Sequence, residues 1–274
     1  MPVTINGTTG ITTPALVNGT ALAFRNKIIN GNFGINQRVY VSGTATSGAN
    51  QYTLDRWRVV TSGQNLTFSA SGIGNIVTAP AGGIEQVIES LNIEGGTYTL
   101  SWTGTATGAV NGSAVSNGGQ ITLPANTNAT IKFSSGTVSL VQLEEGSVVT
   151  PFENRPIGTE LALCQRYCLS ISQDGIISRN IGSGFWVSST NGNQFINHFV
   201  PMRATPALSI SSASHFSANN GALVYALTGL IVDTSSNNLI SVLNFTTASG
   251  GASGNASRLY MNNASAKLTL SAEL

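Results

Sequence analysis

The acids, histidines, cysteines and indoles of this chain are few, so the spacing of each set decides what chemistry it can do. Glu85, Glu89 and Glu94 fall in one stretch, and Glu144 and Glu145 in another. A glycosidase needs two carboxylates facing each other across a scissile bond. Glu85 and Glu89 come nearest to such a pair, but alternating strand faces and a solvated surface account for them more simply. His198 and His215 have Ser and Asp residues elsewhere in the chain but no GxSxG elbow. No glycine pair is followed by Lys-Ser/Thr, so no phosphate cradle is legible. There is no CxxC, HExxH or calcium-loop pattern. The two cysteines, Cys164 and Cys168, read as small apolar packing residues, and the nearest histidines that could complete a metal site with them are His198 and His215. A calcium ion among turn carbonyls and Glu144 or Glu145 stays open as a minor alternative. The expectation is a protein with no catalytic residues, no cofactor and no metal site.

Binding chemistry is better represented. Sugar recognition takes an aromatic platform and a few fixed polar groups, and the indoles available are Trp57, Trp102 and Trp186. Trp102 shares a strand face with Tyr98 and Leu100, and Trp57 lies in a framework-like LDRW stretch. Both read as core. Trp186 follows Gly182, Gly184 and Phe185 beside a Ser- and Asn-rich loop, which makes it the best exposed candidate, with a core indole as the alternative. Asn191, Asn193 and Gln194 would supply hydrogen bonds next to it.

The elements that must position these residues are short. The chain has 274 residues, of which only 8% are charged, and its formal net charge is +1. That balance argues against a nucleic-acid binder and against an acidic tail. A near-neutral, charge-poor surface suits a subunit buried in an assembly better than a free monomer. No basic-then-apolar leader is legible in MPVTINGTTG, and no uncharged apolar run approaches the length of a membrane span.

In chain order, residues 1–25 read as an extended arm with too little apolar content for a core, ordered only by pairing with something else. Val3, Ile5 and Ile11 are its candidate attachment residues. Residues 26–153 carry period-two runs closed by Gly or Asn turns, the spacing of an antiparallel jelly-roll-like sandwich. IEQVIESL at 84–91 fits a helical turn as well as a strand, and its place in a strand series favours the strand. Residues 154–168 read as a connector helix. Ile157, Leu161, Cys164 and Cys168 fall at i, i+4, i+7 and i+11, one face that could cover a sandwich end or meet copies of itself around a three-fold axis. Residues 169–274 are a second β series, expected as a smaller sandwich. ALVYALTGLIVDT is its most apolar stretch and is expected to run through the core. Pro201 and Pro206 mark an edge or bend, and the SGGASGN segment marks a loop.

Several of these stretches resemble a known family. NKIINGNFGINQR with YTLDRWR is similar to the opening strands of modules in tail-fibre and other fibrous virion proteins of tailed bacteriophages. VQLEEGSVVTPFENRPIGTELALCQRYC resembles their closing strand and connector, FVPMRATPALS and LTLSAEL their C-terminal domain, and VTINGTTGITTP their attachment end. That family usually has an aromatic residue where this chain has Cys168. The resemblance implies a homotrimeric virion protein held to another virion protein by its N-terminal arm, with a carbohydrate-binding-module-like first domain and host surface polysaccharide as ligand. No nucleic-acid or membrane partner is expected, on the charge balance and the lack of a long apolar run. A capsid, neck or baseplate decoration with a purely structural role is the alternative.

Overall fold

The computed structural model describes residues 4–6, 10–12, 24–173, 179–221 and 223–274. Among the described residues the chain is nearly all β, with antiparallel pairing throughout the strands and one α-helix. It divides into two compact units. The first is Met1–Gly34, Val41–Thr53 and Trp57–Pro156; the second is Ile35–Tyr40, Leu54–Arg56 and Ile157–Leu274.

Within the N-terminal arm, β1 (Thr4–Asn6) and β2 (Gly10–Thr12) form a two-stranded hairpin that sets Ile5 opposite Ile11. The arm therefore pairs with itself, where a partner strand was expected. Val3 lies outside the described residues.

The rest of the first unit is a sandwich. Its six-stranded sheet runs β10 (Ser113–Val115), β9 (Thr107–Val110), β12 (Ala129–Ser134), β7 (Ile84–Ile88), β4 (Arg58–Val59) and β3 (Gln51–Tyr52). Its five-stranded sheet runs β11 (Gly119–Leu123), β8 (Gly96–Thr103), β13 (Gly136–Glu145), β6 (Gly74–Ala79) and β5 (Thr67–Ser71). Strand β12 shows the cause most plainly: Ala129, Ile131 and Phe133 are buried and Thr130, Lys132 and Ser134 half-buried, the two-residue period of a one-sided sheet. The two sheets meet through their rings. Trp102 of one contacts Phe133 of the other at 5.1 Å, and Trp57 lies 4.8 Å from Phe33. Trp57 also donates its indole N–H to the Asn30 carbonyl at 3.0 Å. Both indoles are core, as read from the sequence, and the 84–91 stretch is strand followed by a single 3-10 turn.

The second unit differs from the sandwich expected for it. Six of its strands close into a barrel, in the order β15 (Arg179–Trp186), β16 (Asn191–Asn197), β20 (Ile240–Thr247), β19 (Val224–Val232), β18 (Phe216–Asn219) and β21 (Ala256–Met261). A separate three-stranded sheet holds β14 (Cys168–Ser172), β22 (Lys267–Ser271) and β17 (Ala207–Ile210). The apolar stretch around β19 is not central. Leu227 and Leu230 point inward, while Leu223, Val224 and Ile231 are about 60% exposed, because a barrel strand has only one inner face.

The helix α1 spans Ile157–Gln165, shorter than the expected connector. Cys168 is not helical. It opens β14 and pairs with Ser271. The helix stops because the Tyr167 N–H turns back to the Cys164 carbonyl at 2.9 Å and strand pairing takes over one residue later. The four-residue connector face is accordingly split. Cys164 and Cys168 are buried inside the protomer, Leu161 is half-buried and Ile157 is exposed.

Beneath this region of the second unit lies a buried ion cluster. Glu273 pairs with Arg38 at 3.0 Å and with Arg56, and Arg56 stacks 3.6 Å from the Tyr167 ring centroid. Asp55 accepts from the Gln37 backbone N–H at 3.0 Å and lies 3.6 Å from Arg38. Arg203 donates to the carbonyls of Ala272 and Glu273 at 2.7 and 2.9 Å. Burial raises the Asp55 pKa, and Arg38 and Gln37 offset only part of that rise. Arg38 is also pulled toward neutrality by burial, but the anionic groups around it outweigh this and hold it charged.

Two outcomes are expected. Glu273→Gln leaves buried guanidinium groups without their carboxylate and should lower stability by about 3 kcal/mol, read from urea unfolding curves; an unchanged midpoint would show that the cluster is neutral to stability. Burial pushes the Cys168 thiol up to about 12 and raises the Cys164 thiol well above the usual range too. Neither should react with a thiol-specific disulfide reagent until denaturant is added.

Candidate functional site

Two of the candidate carboxylates, Glu85 and Glu144, are occupied in structural roles. Glu85 faces Arg58 across β7 and β4, with Arg58 Nε donating to Oε1 at 2.8 Å. Glu144 is buried and accepts from the Gln142 amide, the Thr150 backbone N–H and the Thr150 hydroxyl at 2.9, 2.9 and 2.6 Å. Its oxygens pin the segment that follows β13. Among the described residues no three His, Cys, Asp or Glu side chains gather as a metal set. No described helix is long and apolar enough to cross a membrane.

One arrangement was not legible in the sequence. His198 places Nδ1 2.9 Å from the Asn238 carbonyl and Nε2 2.9 Å from Ser241 Oγ. The carbonyl can only accept, so Nδ1 carries the proton and Nε2 accepts from the serine. That is the polarity of a nucleophile and its base. Ser241, however, is completely buried on the inner side of β20. No substrate carbonyl can reach its Oγ, and the pair serves to fasten β20 to the 237–239 turn.

The open polar surface lies at one end of the barrel. There the 187–191 turn joining β15 to β16 meets the 248–255 loop joining β20 to β21. The Gly251 N–H donates to the Ser189 carbonyl at 2.9 Å, the Trp186 N–H to Asn255 at 2.8 Å, and the Gly254 N–H back to Trp186 at 2.9 Å. The backbone of this tip is therefore tied down while Ser189, Asn191, Ser253 and Asn255 remain exposed. Among the described residues, none of these four side chains has a hydrogen-bond partner apart from solvent. No ionisable group lies in either loop.

The residues predicted to bind ligand separate in space. Asn191 is at this tip. Asn193 lies half-buried on the outer face of β16, opposite Phe185. Gln194 points inward and is fully buried. Trp186 is the main correction. It is completely buried, edge-on to Phe245 at 4.8 Å and to Tyr225 at 5.7 Å, and presents no face to solvent. The cause is pairing. Trp186 sits opposite Gly192; a Cβ at Gly251 would fall 2.0 Å from the indole, and one at Gly192 would fall 2.3 Å from the Phe245 ring that packs on it, so one glycine leaves room for each of the two rings. Its neighbour Phe185 takes the outward position, as the alternation of a strand requires. The Trp-to-Gly register across the hairpin is the one signal that could have shown this.

A scan against protein-family models matches no family, and no curated protein matches the chain.

The expected behaviour of variants follows from burial. Trp186→Ala should destabilise by about 3–5 kcal/mol in thermal or urea unfolding. Asn191→Ala should change stability by under about 0.5 kcal/mol. Equal, small effects from the two would contradict the placement of the indole in the core.

Proposed function

We propose that this chain is the subunit of a homotrimeric fibre on a tailed-bacteriophage virion, joined to another virion protein by its N-terminal arm and contacting host surface glycan through the tip of its second β unit. The observation that carries the reading is that tip. Its backbone is fixed by internal hydrogen bonds, and its outward groups are uncharged hydroxyls and amides, the donors and acceptors that match sugar hydroxyls. Single contacts of this kind are weak, and three copies on one fibre would supply avidity. The sequence resemblance to fibre proteins and the charge-poor surface support the assembly side of the same reading.

One observation favours a structural decoration or adaptor protein without a receptor. With Trp186 inside the barrel, the tip has no exposed indole for a sugar ring to stack on. The two readings separate in one experiment. Labelled protein is titrated onto host cells alongside the double variant Asn191→Ala, Asn255→Ala, and virions carrying or lacking the protein are tested for adsorption. The fibre reading expects saturable binding, a loss of tenfold or more in the double variant at unchanged melting temperature, and reduced adsorption without the protein. No binding with normal adsorption would assign the chain to the adaptor class.

A further inference from the structure

The outer face of the six-stranded sheet in the first unit carries one polar row. The sheet is open, so strand register places its members side by side on a single surface. Tyr52 on β3 is opposite Arg58 on β4, Arg58 is opposite Glu85 on β7, and Glu85 is opposite Lys132 on β12. Lys132 is in turn opposite Ala109 on β9, and Ala109 is opposite Ala114 on β10. The row faces away from the core, because the next residue along three of its strands, Val59, Ile84 and Phe133, is fully buried. With strands about 4.8 Å apart, the row runs about 24 Å across the sheet. It holds an aromatic ring near one edge, three charged side chains in the middle and a shelf of two alanines at the other edge.

The charges do not balance within the row. Glu85 is engaged by Arg58, whose Nε donates to Oε1 at 2.8 Å and whose guanidinium carbon lies 5.9 Å from the Tyr52 ring centroid. Among the described residues, no side chain besides Arg58 pairs with Glu85, and the Lys132 ammonium has neither a carboxylate nor a hydrogen-bond partner. The lysine stem is held to one side. A Cβ built on Gly83 would fall 2.4 Å from Lys132 Cε and 3.2 Å from its Cγ, so the glycine leaves the space in which the stem lies. The row therefore carries one unmatched positive charge beside an uncharged shelf, on a chain whose exterior is otherwise poor in charge.

We propose that this face binds an extended acidic polysaccharide, with a sugar carboxylate on Lys132, sugar hydroxyls on Arg58 and Glu85, and a sugar ring against Tyr52. The occupant follows from charge and shape. An ammonium group without a partner takes an anion. The carboxylate next to it repels a second, closely spaced anion and accepts from hydroxyls instead. That disfavours nucleic acid and other dense polyanions and suits a chain in which acidic and hydroxyl groups alternate. Tyr52 offers a ring to the apolar face of a sugar, and the alanine shelf leaves the polymer room to continue toward the sheet edge. The site is separate from the tip of the second unit. It rests on the reading above only for its ligand class, host surface glycan, and does not depend on the trimer.

The test is an array of acidic polysaccharides (polygalacturonate, hyaluronan, heparosan and polysialate), each beside its carboxyl-reduced form, titrated with the labelled full chain. Binding to at least one acidic form is expected, with at least tenfold weaker binding to its carboxyl-reduced counterpart. Lys132→Gln and Ala109→Gln, the second placing a side chain on the shelf, are each expected to lower that affinity tenfold or more at unchanged melting temperature, and Lys132→Arg to retain it. The tip variant Asn191→Ala, Asn255→Ala is expected to bind the array as the unaltered protein does. No binding to any acidic form, or equal binding by Lys132→Gln, would overturn this site. Host-cell binding that the tip variant removes would then still support the fibre reading, whereas absence of both kinds of binding would overturn the glycan contact altogether.

Discussion

The second unit is organised around one buried carboxylate. Glu273, next to the end of the chain, lies between Arg38 and Arg56, and Arg203 holds the backbone on either side of it. Removing a carboxylate and two guanidinium groups from water costs several kcal/mol per ion, so the arrangement holds only when every member is in place. The members come from four separate stretches of chain. Arg38 and Glu273 are 235 residues apart in sequence, and Arg56 and Glu273 are 217 apart. Such contacts carry a large loop-closure cost and form late. The unit therefore reaches its final packing only when the last strand, β22, is in position between β14 and β17 and Glu273 follows it into the cluster. The left-handed backbone of Arg56, with φ of +69°, is consistent with this constraint. A bulky side chain tolerates that conformation at a cost, offset here by the ion pair and the stacking on Tyr167.

A second constraint acts inside the barrel, where volume must balance across each pair of strands. The largest ring, Trp186, is placed opposite the smallest residue, Gly192, and under Gly251. Phe245 closes the same space from β20. This local balance determines that residue 186 points inward, and the period of a strand then determines that 185 and 187 point outward. The exposed pair Phe185 and Phe195 is thus a consequence of where the tryptophan fits. Core packing and surface character are linked by one register.

The sequence was most informative where one face of a strand is apolar and the other is not. The β12 and β22 runs alternate cleanly, and their strands and buried residues follow from that pattern alone. Trp57 and Trp102 were placed by the company they keep on a strand face. The helix was legible from its spacing, but its end was not. The i+11 position of Cys168 continues the helical pattern, and only the pairing of that residue with Ser271 shows that the helix has stopped. The 222–234 stretch misled for the converse reason. It is apolar at neighbouring positions, so periodicity cannot say which side is inner, and among its described residues the barrel buries only Leu227 and Leu230 thoroughly. The ion cluster was invisible because no local pattern marks partners separated by more than two hundred residues. Trp186 lay between these cases: its flanking glycines looked like signs of exposure, whereas Gly251 makes room for the indole inside and Gly192 for the Phe245 ring beside it.

The distribution of charge bears on how the molecule can recognise anything. The chain has 12 Lys and Arg and 11 Asp and Glu, and a good share of them are internal. Arg38, Asp55, Arg56 and Glu273 are sequestered in the second unit, and Glu144 is buried in the first. The exterior is therefore poorer in charge than the composition suggests. Recognition then falls to amides, hydroxyls and rings, whose contacts are short-ranged and little affected by salt, while surface ion pairs weaken as the Debye length shrinks. Apolar rings and hydrogen-bonded backbone hold their shape at any salt, and the few exposed charges are worth little individually.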